Sequence, residues 1–272
     1  MTPADLRRDP LPLRGRVAAV TGVSRRAGIG YATARRLAAL GASLFVHHYT
    51  PHDRDQPWGA DPDGMPAVLS GIGEALIADA TLHHTELDLA APDAPTRLVT
   101  AAGAALGHLD ILVCNHARSG GDGPLGTLDA AMLDAHWIVN TRATILLAQA
   151  FAAQHDGRPG GRIIFLTSGQ DLGPMRDEVA YAASKGALSS ITRTLADHLA
   201  DQTITLNTIN PGPVDTGYAT PAIHEAVRHR FPTHRWGTPD DPARLISWLC
   251  TDEATWITGQ TINTEGAFRR WN

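Results

Sequence analysis

Lysine is all but missing from this sequence. Of its 23 Lys+Arg residues a single one, Lys185, is lysine, and the rest are arginine. Arginine is planar, bulky and permanently charged, whereas lysine is a compact point charge whose pKa follows its surroundings, so a chain that writes arginine elsewhere keeps lysine where arginine cannot stand in. Cysteine is nearly as scarce. Cys114 and Cys250 cannot build a disulfide framework, and a reducing compartment fits them. Positive charge is neither abundant nor clustered: the net charge is -5 and no basic run or stripe occurs, which argues against nucleic acid or an anionic membrane surface as main partner. No apolar run reaches membrane-spanning length. Met1 to Pro12 is polar, carries several prolines and lacks an apolar signal core, so it reads as a flexible tail on a cytoplasmic protein.

Several chemical signatures are also missing. Without Gly-Lys-[Ser/Thr] there is no phosphate loop of the kinase type. Without Gly-x-Ser-x-Gly a serine-hydrolase elbow has no support. The 13 histidines invite a metal reading, but His47-His48 and His83-His84 are adjacent pairs, and neighbours in a strand point to opposite faces. No His-Glu-x-x-His or Cys-x-x-Cys spacing appears, so no metal is expected.

What is present is a regular alternation. Hydrophobic content of 43% and charged content of 19% are enough for a sizeable core. Short apolar runs read as buried strands at Val17–Val20, Ser43–His47, Thr81–Leu87, Ile111–Val113, Arg162–Thr167, Thr203–Ile209 and Gln260–Asn263. Between them lie helical patterns at Tyr31–Leu40, Pro66–Asp79, Thr96–Leu106, Leu128–Ala153 (one long amphipathic helix), Val179–Ala200 and Pro242–Cys250. Tyr49–Met65 is rich in Pro, Asp and Gly and reads as a long loop. With no linker and no repeat, the pattern predicts one α/β domain over 13–272, a doubly wound parallel sheet of the Rossmann type, with ligands at the strand C-terminal ends.

Two stretches carry chemistry. Thr21-Gly22-Val23-Ser24-Arg25-Arg26-Ala27-Gly28-Ile29-Gly30 joins the first strand to the first helix. Glycines there let the backbone approach a pyrophosphate, and the helix start supplies amides and a positive dipole end. The region after the second strand, Val46-His47-His48-Tyr49, has no carboxylate of the kind that selects NAD. Arg25 and Arg26 lie in the glycine loop, and arginine pairs well with the 2′-phosphate of NADP. The second stretch is Tyr181-Ala182-Ala183-Ser184-Lys185. Positions i and i+4 share a helix face, so an ammonium stands beside a phenol and favours its ionised form, which makes a tyrosine an acid/base near neutral pH.

In these motifs and their order the chain resembles the short-chain dehydrogenase/reductase family in its single-domain form, from about Leu13 to Phe268. The tail from Arg235 to Gly266 resembles members labelled 3-oxoacyl-[acyl carrier protein] reductases. The resemblance implies a catalytic tetrad: Tyr181 as acid/base, Lys185 as its partner and holder of the nicotinamide ribose, Ser168 on the substrate oxygen, and Asn140 holding a water that links to the lysine. It implies cofactor contacts at Thr21, Gly22, Ser24, Arg25, Arg26, Gly28, Ile29, Gly30, His48, Asn115, Tyr181 and Lys185, and at Asp88 and Leu89 beside the adenine. It adds Pro211, Gly212, Val214 and Thr216 near the nicotinamide carboxamide. The implied activity is hydride transfer between NADP(H), with NAD(H) as the other candidate, and a carbonyl/alcohol pair, in a homotetramer joined through the helices carrying Asn140 and Tyr181 and a C-terminal contact. Two features depart from the family. The glycine loop has two extra residues between Gly22 and Gly28, and the usual Asn-Asn-Ala-Gly is Cys114-Asn115-His116-Ala117, so His116 and Arg118 either shape substrate choice or only pack. An NAD-dependent alcohol dehydrogenase and a cofactor-sensing protein without turnover are the other readings. The substrate pocket is expected between 169–179, 116–123 and the variable stretch 217–234, which holds either an apolar lid or a solvated helix face.

Overall fold

The computed structural model describes residues 7–271; of the polar tail, residues 1–6 lie outside the described residues. The chain order is β1 (Val17–Val20), α1 (Ile29–Ala39), β2 (Ser43–His48), α2 (Thr50–Arg54), α3 (Gly64–Gly73), β3 (Leu82–Glu86), α4 (Ala94–Leu106), β4 (Ile111–Cys114), α5 (Ala130–His136), α6 (Ala143–Gln154), β5 (Gly161–Leu166), α7 (Val179–Ala200), β6 (Ile204–Asn210), α8 (Pro221–Arg230), α9 (Asp240–Leu249) and β7 (Thr261–Asn263). The seven strands form one sheet in the order β3-β2-β1-β4-β5-β6-β7, and every pair is parallel. The chain winds outward from β1 to β3, then returns to place β4 on the other side of β1. The crevice at that reversal, outside the strand C-terminal ends, is where open α/β sheets bind ligands.

The inner strands β1, β4 and β5 are buried along their whole length because both sheet faces are covered there, whereas the edge strands β3 and β7 are polar and partly exposed. Alternation sends Ile111 and Val113 of β4 to one face, where they pack with Leu37 of α1, Ile72 of α3 and Ile246 and Leu249 of α9. Leu112 and Cys114 go to the other face, with Leu98 of α4, Leu147 and Phe151 of α6 and Leu188 of α7. Phe165 of β5 is fully buried in this second cluster. Phe165→Ala is expected to cost about 3–5 kcal/mol by leaving a cavity. Urea unfolding reads this as a lowered midpoint with an unchanged slope.

Two expectations are corrected and one left open is decided. Tyr49–Met65 is not simply a loop: α2 forms within it, and Asp53 and Asp61 tie it to the glycine loop by ion pairs with Arg25 and Arg26. Composition reads as loop because Pro51 sits in the first turn of α2, where its missing N–H is harmless. The helix expected over Leu128–Ala153 is broken by a π-helical turn, Trp137–Arg142, that holds Asn140. The Asn140 carbonyl accepts from Thr144 Oγ1 at 2.8 Å, and an inserted residue of this kind is invisible to a 3.6-residue periodicity. Within the variable stretch 217–234, α8 forms but buries none of its own residues, so it is a solvated helix; Phe231 just beyond it packs on Phe268. No helix among the described residues is long and apolar enough to cross a membrane.

Candidate active site

The loops after β1 and β4 are sewn together below the crevice. Thr21 Oγ1 accepts from the Asn115 and His116 amides at 3.0 and 3.2 Å. Asn115 Nδ2 donates to the carbonyls of Thr21 and Gly22 at 3.1 and 3.0 Å. Gly22 has φ +71°, and a Cβ there would stand 2.8 Å from His116 Cα; one on Gly30 would stand 2.5 Å from the Gly22 carbonyl. These two glycines are therefore demanded by close backbone approach. Thr21 and Gly30 thus act from beneath the crevice rather than on its wall.

Above this floor lies a cavity of about 450 Å³. Its wall takes in Gly22, Ser24, Arg25, Gly28 and Ile29 of the glycine loop, with Asp88, Leu89 and Asn115, then Tyr181 and Lys185, and Pro211 and Thr216 on the far side. Gly28 caps α1 without a side-chain bond, and no acidic residue sits in the first turn. The leading amides and dipole of α1 thus face the cavity free of a competing carboxylate, which suits a phosphate.

Several expected contacts fall elsewhere. Arg26 is bound to Asp61, at 2.8 Å, and to Asp63, outside the lining. Arg25 stays on the wall but is engaged: its guanidinium donates to the Thr216 carbonyl at 3.0 Å, lies 3.3 Å from Asp53 and covers the Trp58 ring. His48 turns away and stacks on His84. Its neighbour His47 takes the wall instead, where Gly22 N–H donates to Nδ1 at 3.3 Å and Nε2 meets the Leu87 carbonyl at 2.8 Å. Burial lowers the His47 pKa to about 4, so it is a neutral spacer. Gly212 and Val214 shape the β6 loop from behind: a Cβ at Gly212 would stand 2.8 Å from Glu265 Cα, and Val214 bridges to Gly237. His116 proves to be a cross-tie. Nδ1 lies 2.7 Å from Thr21 Oγ1 and Nε2 3.1 Å from the Val139 carbonyl, and burial lowers its pKa to about 3.

Tyr181 and Lys185 do share one face of α7, as spacing required. Lys185 is 2% exposed, donates to the Leu166 carbonyl at 2.8 Å and lies 5.8 Å from the centre of the Tyr181 ring. Burial lowers its pKa to about 8. Burial pushes the Tyr181 phenol above its ordinary value, the Glu178 carboxylate adds to this, and hydrogen bonding with Ser168 opposes it. Burial thus favours the protonated phenol, and Ser168 is the side chain beside it. Asn140 spends its amide on other partners: Oδ1 accepts from Arg118 N at 2.7 Å, and Nδ2 donates to the Arg118 carbonyl and to Ser184 Oγ, at 3.1 and 2.9 Å. It clamps the loop after β4.

Sequence reasoning missed the wall built by α2 and its flanks, Tyr49, His52, Asp53 and Trp58. The acidic and aromatic residues in an otherwise loop-like stretch were the available signal. It also missed Asp122, whose carboxylate meets the start of α7; nothing local announces that contact.

The family model described as enoyl-(acyl carrier protein) reductase matches residues 22–268. An uncharacterized oxidoreductase of Bacillus subtilis, YjdA, is 40% identical over 94% of this chain and 97% of its own. Dehydrogenase/reductase SDR family member 4 of Bos taurus is 32% identical over 94% of this chain and 88% of its own. The crystal structure of a Burkholderia cenocepacia short chain dehydrogenase in complex with NADP superposes with a TM-score of 0.81 at 34% identity, covering 94% of this chain and 98% of that one. With the geometry in place and likeness running along nearly all of its length, the chain belongs to the short-chain dehydrogenase/reductase family of oxidoreductases.

Proposed function

We propose that this oxidoreductase is NADP(H)-dependent and moves a hydride between nicotinamide and a ketone/secondary alcohol pair, with a 3-oxoacyl thioester or related ketone as substrate class. One observation carries the reading: Tyr181 and Lys185 open onto the same cavity as the uncapped start of α1. When bound, the cofactor supplies or accepts the hydride. The protein supplies the proton and the orientation. In reduction the Tyr181 hydroxyl gives its proton to the substrate oxygen, and the Ser168 hydroxyl holds that oxygen by a hydrogen bond. In oxidation Tyr181 takes the proton back. Lys185 keeps a buried positive charge beside the phenol, and Asn140 holds the adjoining loop in register.

NADP(H) is favoured by the lack of a carboxylate directly after β2, where Tyr49 stands, and by the NADP held in the Burkholderia relative. Arg25, a guanidinium of the glycine loop on the cavity wall, can meet a 2′-phosphate in exchange for Asp53. A second reading, an NAD-dependent dehydrogenase, rests on that same Asp53, a buried carboxylate on the wall able to accept from ribose hydroxyls. Absorbance-followed oxidation of NADPH and NADH against β-ketoacyl thioesters, diketones, cyclic ketones and aldehydes separates them. NADPH is expected to be preferred, and Arg25→Ala to lower that preference about 10–100-fold, the loss of one charge-assisted contact. A preference for NADH with Arg25→Ala silent overturns the phosphate assignment. Intact NADPH binding with no turnover anywhere on the panel turns the reading towards a cofactor-sensing protein. A homotetramer built on α5, α6 and α7 in the cytoplasm completes the proposal; a monomer in sedimentation at micromolar concentration overturns the assembly.

A further inference from the structure

Asp122 lies in the loop between β4 and α5, 59 residues before Tyr181. Its Oδ2 accepts from the Tyr181 amide at 2.7 Å and its Oδ1 from the Ala180 amide at 3.0 Å. These amides belong to the first turn of α7, where a helix has no partners of its own to offer. Glu178, at the cap position, makes no side-chain cap bond. The cap of the 22-residue helix that carries Tyr181 is thus provided from a distant loop of the same chain, by a carboxylate whose charge also suits the positive end of the helix dipole.

The loop that presents Asp122 is itself fixed. Asn140 clamps Arg118 on both its amide and its carbonyl. His136 Nε2 bonds the Gly120 carbonyl at 3.1 Å, and its ring packs edge-on to Tyr181 with centroids 6.1 Å apart. Tyr181 is therefore gripped twice, at its backbone by Asp122 of this loop and at its ring by His136 of α5. Burial pushes the Asp122 carboxyl up, but the Tyr181, Ala180 and Gly123 amides pull it below its ordinary value. These amides favour the ionised carboxylate. Lys185, one turn further on, is anchored separately to the Leu166 carbonyl.

We propose that Asp122 is a positioning residue for the acid/base: by accepting from the Ala180 and Tyr181 amides it sets where α7 starts and how its first turn is rotated, and so where the Tyr181 hydroxyl meets the substrate oxygen. This rests on Tyr181 being the acid/base. Because Lys185 and the glycine loop are held by other groups, loss of Asp122 misplaces the proton donor without loosening the cofactor.

The test is a double-mutant cycle on the intact chain, with turnover read on the fastest ketone of the panel and NADPH binding read by fluorescence. Asp122→Ala is expected to lower kcat about 10–100-fold, the size of effect that a misplaced catalytic group produces, with the NADPH Kd within about twofold of wild type. Asp122→Asn, which keeps one acceptor, is expected to recover part of the loss. Adding Asp122→Ala to Tyr181→Phe is expected to slow the enzyme no further. Independently of any substrate, amide exchange over 179–185 is expected to rise about tenfold in Asp122→Ala, with 188–200 unchanged. An unchanged kcat, an additive double mutant, a Kd that weakens in step with kcat, or unchanged exchange at 179–185 overturns the proposal. If Asp122→Ala does not fold, the same criteria apply to Asp122→Asn. Full turnover in Tyr181→Phe is a different failure: it removes the acid/base assignment itself.

Discussion

Tyr181→Phe is expected to lower kcat by about 10²–10⁴-fold, the usual contribution of a positioned acid/base, while NADPH binds as before. The substitution removes one oxygen. The ring keeps its edge-on contact with His136 and its place on the cavity wall, so neither the fold nor the cofactor cleft has reason to change. Steady-state turnover with a parallel NADPH titration separates the two quantities; a variant that turns over normally would falsify the assignment. The same residue sets the pH response. Burial raises the Tyr181 phenol, so the protonated form needed for reduction is present at neutral pH. Oxidation needs the phenolate. Its rate is expected to climb as pH rises into the alkaline range, whereas the reductive rate holds across neutrality and falls only as the phenol ionises. Matched pH–rate profiles in the two directions check the sign.

Lys185→Met is expected to abolish turnover, at least about 10²-fold, and yet to make the protein no less stable at pH 7. Burial brings the folded-state pKa of Lys185 from its ordinary 10.5 to about 8. Below that value the ammonium is charged in both states, and the folded one carries a penalty of about 3 kcal/mol for hiding it. Methionine removes the penalty but leaves the Leu166 carbonyl without its donor, a loss of about 1–3 kcal/mol. The expected net is a gain of about 1 kcal/mol at pH 7. Between pH 8 and 10.5 the unfolded chain binds more protons than the folded one, so wild-type stability rises with pH through that window. The advantage of the methionine variant should shrink there and vanish above it. Urea unfolding of both proteins at pH 7 and pH 10 measures this. A variant clearly less stable than wild type at pH 7 means that the buried charge is held favourably. A variant at least as stable as wild type means that lysine at this position reflects chemistry kept at some cost in stability, in accord with its being the single lysine of the chain.

How much of this was legible beforehand follows from how far each interaction reaches. Tyr181 and Lys185 share a helix face because i and i+4 always do. The glycine loop could be placed because a strand, a turn and a helix follow one another directly. The apolar strands alternating with helices determined a doubly wound sheet, since buried parallel strands must be apolar on both faces. Sequence by itself therefore determined the fold class and the placing of Tyr181 and Lys185 on one helix face. The tertiary structure alone decided which partners the polar side chains chose. Arg26 looks free in the sequence and is taken by Asp61, 35 residues away. His47 and His48 look equivalent, and only the sheet's orientation tells which one faces the cavity. Asn140 is spent on Arg118, 22 residues away, and the cap of α7 comes from Asp122. Local geometry repeats with a fixed period and can be read from spacing. A charge or a hydrogen-bond donor takes whichever partner the packed chain brings within about 3 Å, and no spacing along the sequence records that choice.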